Sequence, residues 1–208
     1  MPTPTQTTTN TTPASIAAAN VDVRKAVNFD AMWKAHPMNW MPPESQPFRG
    51  PKKVIKTPTL PGLPPIETVL PGQPIYEDQC AIKMSIALDA GGLSLATFPK
   101  NRSESRFVDQ LGKKVRGALA AEELANWMIK ALGKPVTFDG SIALAKVQTK
   151  RGVIFFKDFW TRPNETTPQG DHIDLWNGST TPSTSATAYA GENTYFTRSK
   201  SVWFWELK

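Results

Sequence analysis

Residues 170–178 read GDHIDLWNG, and the reading of this stretch decides the fold. Its apolar members, Ile173, Leu175 and Trp176, form a short run bounded by Gly170 and by Asn177 and Gly178, which predicts a strand. Three other segments of the last third share that character: RGVIFFKDFW (151–160), NTYFTRS (193–199) and SVWFWELK (201–208). They are rich in β-branched and aromatic residues and are separated by Pro, Gly, Ser and Thr, so they predict an antiparallel sheet. The strand at 170–178 also carries one of only two histidines in the chain, His172, between Asp171 and Asp174. Packed strand residue, metal ligand and catalytic base are the three roles open to it.

Working outward, helices come before strands. In YEDQCAIKMSIALDAGG, Asp78 is the expected N-cap, Ile82, Ile86 and Ala90 recur every four residues, and Gly91 and Gly92 stop the run. This predicts a helix over about 79–90 with Cys80 in its first turn. A second helix reads from LAAEELANWMIKAL, with Leu124, Trp127, Met128 and Ala131 on one side and Gly133 and Pro135 after it. A shorter one reads in VNFDAMWKAHP, where Phe29, Met32 and Trp33 share a face that ends before Pro37. Between the two longer helices, KNRSESR (100–106) and GKKVRG (112–117) read as a polar, basic loop. Helices followed by strands predict an α+β domain with the helices on one face of the sheet.

The remaining segments are punctuation. Residues 1–27 are expected to be a disordered tail, the first twenty being uncharged and rich in Thr, Pro, Ala and Asn. Residues 28–208 are expected to be one domain, and the proline-rich stretch at about 42–74 to be an extended, polyproline-like surface strap. LPG occurs there at 60–62 and 70–72, which is too little for a repeat architecture.

Composition narrows the function classes. The N-terminus lacks the basic start and apolar core of a Sec signal, and the apolar runs are short, so a soluble chain with no membrane insertion is expected. A single cysteine rules out an internal disulfide and any multi-thiolate metal site. No H-x-x-x-H, H-E-x-x-H or C-x-x-C spacing occurs, so no metal and no cofactor is expected; G-x-S-x-G is also absent. The formal net charge of +6 favours an acidic partner. No Lys/Arg block interleaves with aromatics, which argues against nucleic acid.

A thiol attacks only as thiolate, and the first turn of a helix stabilises negative charge through unpaired N–H groups and the macrodipole. Cys80 stands at such a position; a small buried hydrophobe is its alternative reading. A nucleophile needs a base within hydrogen-bond reach. His36 precedes a proline and reads as a helix-end residue, whereas His172 lies on a strand that can face a helix start across a cleft. His172 is the better base.

CAIKMSIALDAGG (80–92), AAEELANWMIKAL (120–132), RGVIFF (151–156), GDHIDLWNG (170–178) and VWFWEL (202–207), taken in order, resemble the fourth family of type VI secretion amidase effectors. The resemblance spans about 28–208. It implies a papain-like fold, with a cysteine at a helix N-terminus facing a histidine on the central sheet. It also implies hydrolysis of the amide between γ-D-glutamate and meso-diaminopimelate in peptidoglycan stem peptides. Synthesis in the cytoplasm, delivery by the type VI secretion apparatus into a rival's periplasm and a cognate immunity protein come with it. Carried over by position, the nucleophile is Cys80 and the base is His172. The family completes its triad with an aspartate downstream of the histidine block, yet residues 175–208 contain none. Asp174, two along the same strand and roughly 6.5–7 Å away between Cα atoms, is the leading substitute. Asn177, Glu192 and Asn193 are the alternatives, since an amide also orients an imidazole. A catalytically inactive relative acting as a cell-wall or protein binding module is the competing reading.

Overall fold

The helix that opens at Cys80 and the strand that carries His172 belong to different layers. A computed structural model describes residues 23–41, 53–57, 66–70, 72, 76, 78–161, 165–183 and 194–208. Its main sheet has four strands: β5 (Val136–Asp139), β6 (Gly152–Trp160), β7 (Gly170–Trp176) and β8 (Ser201–Glu206), in the order β5-β8-β6-β7. Every neighbouring pair is antiparallel, and β7 is an edge. Ahead of the sheet come α1 (Phe29–Ala35), α2 (Pro37–Trp40), α3 (Cys80–Ala90) and α4 (Ala121–Leu132). Among the described residues, no helix is long and apolar enough to cross a membrane.

Alternation along β6 and β7 sorts their side chains between two cores. Val153, Phe155, Ile173 and Leu175 join Met32, Met84, Leu88, Leu124 and Met128 of the preceding helices. Ile154, Phe156 and Trp176 face the other way, against Ala143 and Val147 of α5 (Gly140–Val147) and Phe196 of α6 (Tyr195–Arg198). The α+β class is therefore as expected, but helices cover both faces of the sheet rather than one.

The first core also fixes the N-terminal segment. Asn28 caps α1 by accepting from the Ala31 N–H at 2.9 Å, and Phe29, Met32 and Ala35 are buried. Met32 lies against Gly91, where a Cβ would overlap its side chain. The expected tail, 1–27, falls mostly outside the described residues. Its last part does not read as tail: residues 23–26 are helical, Val27 is buried and the Arg24 Nε donates to the Leu132 carbonyl at 2.6 Å.

Three local expectations are corrected. The basic segment from 100 to 117 is a short 3-10 turn and a hairpin, β3 (Ser103–Val108) with β4 (Lys114–Ala118). The turn is closed by Asp109, whose Oδ1 accepts from the Leu111 and Lys113 amides, and Phe107 and Val115 pack on Ile82 and Ile86 of α3. The predicted strand at 193–199 is instead the helical turn α6 over its described part, because Thr194 and Thr197 form a reciprocal capping box. In the proline-rich stretch, β1 (Lys53–Thr57) and β2 (Ile66–Leu70) pair antiparallel, so those residues form a ladder rather than polyproline helix. Apart from the buried Gly72, the remainder of the strap lies outside the described residues.

Candidate active site

Helix α3 begins at Cys80 with Gln79, not Asp78, at the cap position, and no side chain caps it. A helix start without such a cap keeps its first-turn N–H groups available to an anion. The helix is tied down behind the thiol by Ser85, a buried residue whose hydroxyl donates to the Ala81 carbonyl at 2.7 Å and accepts from the Ala118 N–H of β4 at 3.0 Å.

Helix α3 packs on β7, and Cys80 and His172 line the same cleft, where the thiol is close enough to help raise the histidine's pKa. On its other side, His172 Nε2 stands 3.3 Å from Asp174 Oδ2, so Nδ1 is the nitrogen left for the thiol. An i, i+2 spacing places both residues of β7 on one face. Asp174 is fully buried and His172 is 14% exposed, just enough for a small reactant to reach it. The ring is held by aromatics at centroid distances of 6.3 Å from Phe156, 6.3 Å from Phe159 and 5.5 Å from Tyr195.

Phe159 reaches the ring because β6 is irregular there. The register of β6 with β7 shifts between Phe156 and Trp160, and Asp158 takes a φ of 52°. Its N–H donates to Asp171 Oδ1 at 2.9 Å, which anchors the bulge to β7. At its far end Trp160 lies over Gly170, where a Cβ would overlap the indole.

The electrostatics favour an ion pair. Burial opposes charge on His172, but it is outweighed by the hydrogen bond to Asp174 and by the bond and charge of Cys80, so the pKa is pushed up to about 10. Burial also works against the charged form of Asp174; His36, His172 and Ser183 outweigh it and hold the carboxyl below its ordinary value. An imidazole placed in this way can accept a thiol proton and keep it, while the carboxylate steadies the resulting charge.

Two clefts meet at the thiol. One, of about 390 Å³, is lined by Cys80, Lys83, Trp160, His172, Tyr195 and Arg198. The other, of about 300 Å³, shares Asp78, Cys80 and Asp171 and runs past Arg102, Glu122 and Gln169. A further groove between Phe98 and Trp127 touches the second at Arg102 and Glu123 and is lined by neither cysteine nor histidine. From the segment read as a basic loop, Arg102 alone lines these clefts; it is paired with Glu123, Arg106 with Glu104, and Lys113 with Asp89 at 2.5 Å. Among the described residues, no three His, Cys, Asp or Glu side chains are grouped to hold a metal.

Of the sequence candidates, Cys80, His172 and Asp174 come together. Asn177 does not join them: its Oδ1 accepts from the Ser179 N–H, the Ser179 hydroxyl and the Thr180 N–H in the turn after β7. Glu192 and Asn193 lie outside the described residues. Trp176 is core, its Nε1–H donating to the Val147 carbonyl at 2.9 Å. His36 is the residue that sequence reasoning set aside. It is 1% exposed, and its Nε2 lies 3.4 Å from Asp174 Oδ1. Its neighbours in AHPM advertise a helix end, and no spacing rule links it to a strand more than a hundred residues later.

A family model described as type VI secretion system amidase effector protein 4 matches residues 76–205, well over half of the chain. Among solved structures, the chain is similar to the effector Tae4 from Salmonella typhimurium in complex with the immunity Tai4 from Enterobacter cloacae. The identity is 21% over 64% of this chain and 77% of that one, with a TM-score of 0.48. It is also similar to the type VI effector Tae4 from Enterobacter cloacae, at 19% identity over 64% of this chain and 75% of that one, with a TM-score of 0.47. No curated protein matches the chain in sequence.

Proposed function

Because the chain belongs to the type VI secretion amidase effector 4 family, peptidoglycan amidases with antibacterial action, we propose that it is a cysteine amidase cutting the γ-D-glutamyl–meso-diaminopimelate bond of stem peptides. The observation that carries this reading is the placing of Cys80, at the start of a helix, in one cleft with His172, whose Nε2 stands 3.3 Å from the buried Asp174.

In this mechanism His172 takes the thiol proton and the Cys80 Sγ attacks the amide carbonyl carbon. The first-turn amides of α3 stabilise the oxyanion. Collapse of the tetrahedral intermediate breaks the C–N bond, with the proton passing from His172 to the leaving amine of diaminopimelate. Water, deprotonated by His172, then hydrolyses the thioester and frees the glutamyl γ-carboxylate. Asp174 fills the position left open by the absence of a downstream aspartate, which supports an active enzyme over a binding module. The clefts offer cations, Lys83 and Arg198, and carboxylates, Asp78, Asp171 and Glu122, in keeping with a ligand that bears free carboxylates and an ammonium group. In this reading the protein is made in the cytoplasm and acts in the periplasm of a rival. An immunity protein that occludes the clefts protects the producer.

The test is digestion of purified peptidoglycan and of tetrapeptide stems by the wild type, Cys80→Ala and His172→Ala, with products identified by mass spectrometry. Fragments ending in a free glutamyl γ-carboxyl from the wild type alone are expected. A wild type that cleaves nothing, or cleavage that survives loss of Cys80, overturns the proposal.

A further inference from the structure

We propose that His36 is a positioning residue of the same site, holding the Asp174 carboxylate from the side opposite His172, so that the N-terminal segment 23–41 completes the catalytic machinery. This rests on the roles given above to Cys80, His172 and Asp174. It reaches beyond the region matched by the family model, which begins at residue 76.

The geometry assigns each partner to one oxygen of the carboxylate. Oδ2 faces His172 Nε2 at 3.3 Å and accepts from the Ser183 N–H at 3.3 Å. Oδ1 accepts from the Leu175 N–H at 2.8 Å and faces His36 Nε2 at 3.4 Å. A carboxylate has about four lone-pair sites, and these four neighbours, two on each oxygen, fix its orientation. The tautomer follows from the other ring nitrogen: His36 Nδ1 accepts from the Met38 N–H at 3.3 Å, so the proton of a neutral ring lies on Nε2, the nitrogen 3.4 Å from Asp174 Oδ1.

Neutrality is what the position calls for. A second imidazolium would compete with His172 for the same carboxylate, whereas a neutral N–H fixes the oxygen and leaves the negative charge to His172. Burial drives the His36 pKa down to about 4; Asp174 opposes this, while Lys83 and His172 reinforce it. Lys83, from α3, is the other cation nearby. It interacts electrostatically with Asp174 and Cys80, and its Nζ lies 3.0 Å from Met38 Sδ.

The ring is delivered by packing rather than by chance contact. His36 is both the C-cap of α1 and the N-cap of α2. Helix α1 is seated in the core by Phe29 and Met32, and Asp30 pairs with Arg151 at 2.7 Å. A residue at the junction of two short helices so anchored has little freedom to move away from Asp174.

The experiment compares full-length wild type, His36→Ala and His36→Gln in turnover of stem peptides and in NMR titration of the His172 ring. The 3.4 Å approach of His36 to a charged carboxylate sets the scale at the low end for such polar contacts, so His36→Ala is expected to lower kcat by roughly tenfold with KM within about twofold. The His172 pKa should fall in the same variant. His36→Gln, whose amide can donate in place of Nε2–H, is expected to recover most of both. Circular dichroism and thermal melting establish that each variant is folded. A folded His36→Ala with wild-type kcat and an unmoved His172 titration overturns the proposal, as does a His36→Gln no better than His36→Ala. The titration needs no substrate, so it decides the role of His36 even if the substrate assignment fails.

Discussion

His172 Nε2 and Asp174 Oδ2 lie 3.3 Å apart although the two residues are only two positions apart on one strand. A catalytic histidine and its orienting carboxylate are usually brought together from separate elements; here one seven-residue strand carries His172 and the carboxylate proposed to orient it. The pair cannot drift without moving β7, which is bonded along its length to β6.

Asp174→Ala should lower kcat by roughly 10⁴, the scale seen when a triad carboxylate is lost. Asn177→Ala should leave kcat within about twofold and reduce stability by about 1 kcal/mol, the usual scale for a capping side chain. Stem-peptide turnover and urea denaturation measure the two. The reverse pattern would move the third catalytic role to Asn177.

Stability should pass through a maximum near pH 6.5. His172 has a folded pKa of about 10, above its ordinary 6.5, so its contribution is complete below pH 6.5 and is lost as pH rises through 10. His36 has a folded pKa of about 4, below 6.5, so the unfolded chain binds the extra proton between these values and stability falls as pH drops through that window. Tm measured from pH 4 to 10 should lose its alkaline decline in His172→Ala and its acid decline in His36→Ala. Unchanged limbs in either variant contradict the assignment.

Gly170→Ala should destabilise by about 1–3 kcal/mol, because the new methyl overlaps the Trp160 indole and the packing has to yield. Since Trp160 lines the cleft, kcat/KM should drop with the change in tryptophan fluorescence. A variant with wild-type melting and emission would show that the indole is not seated there.

Ser85→Ala should cost about 1–3 kcal/mol, because the buried Ala118 N–H loses its acceptor. Turnover per folded molecule should change little, since the hydroxyl lies behind the thiol and touches no reactant. Equilibrium unfolding with active-site titration separates the two effects; a stability change below about 0.5 kcal/mol would contradict this reading.

The parts legible in the sequence are those whose local pattern and tertiary role agree. β6, β7 and β8 are apolar runs that the sheet buries, α4 carries one-sided spacing, and α3 is an apolar run buried nearly all round; both helices stop at glycine. Legibility fails where a few side chains override composition. The β3-β4 hairpin reads as a charged loop because its buried residues, Phe107, Val115, Gly117 and Ala118, are few and two of them small, while Arg106 and Lys114 are exposed. NTYFTRS has strand composition, but two threonines bonding each other's amides close it as a helical turn, which places Tyr195 beside His172. Cys80 and His172 are singled out by scarcity and by the elements that bear them. His36 is equally scarce, yet its place at Asp174 depends on how α1 docks, which no local pattern encodes.

In the order β5-β8-β6-β7, the strand latest in sequence lies inside the sheet. A ribosome therefore delivers β6 and β7 before β8, the strand that joins them to β5. Until residues 201–206 emerge, β6 lacks its second partner, Trp205 is missing from the main core and its Nε1–H has yet to find the Gly133 carbonyl, 72 positions earlier. Contacts so distant in sequence form slowly. The sheet behind the thiol and the imidazole thus closes only through contacts that reach far back along the chain, and slow folding is expected of it.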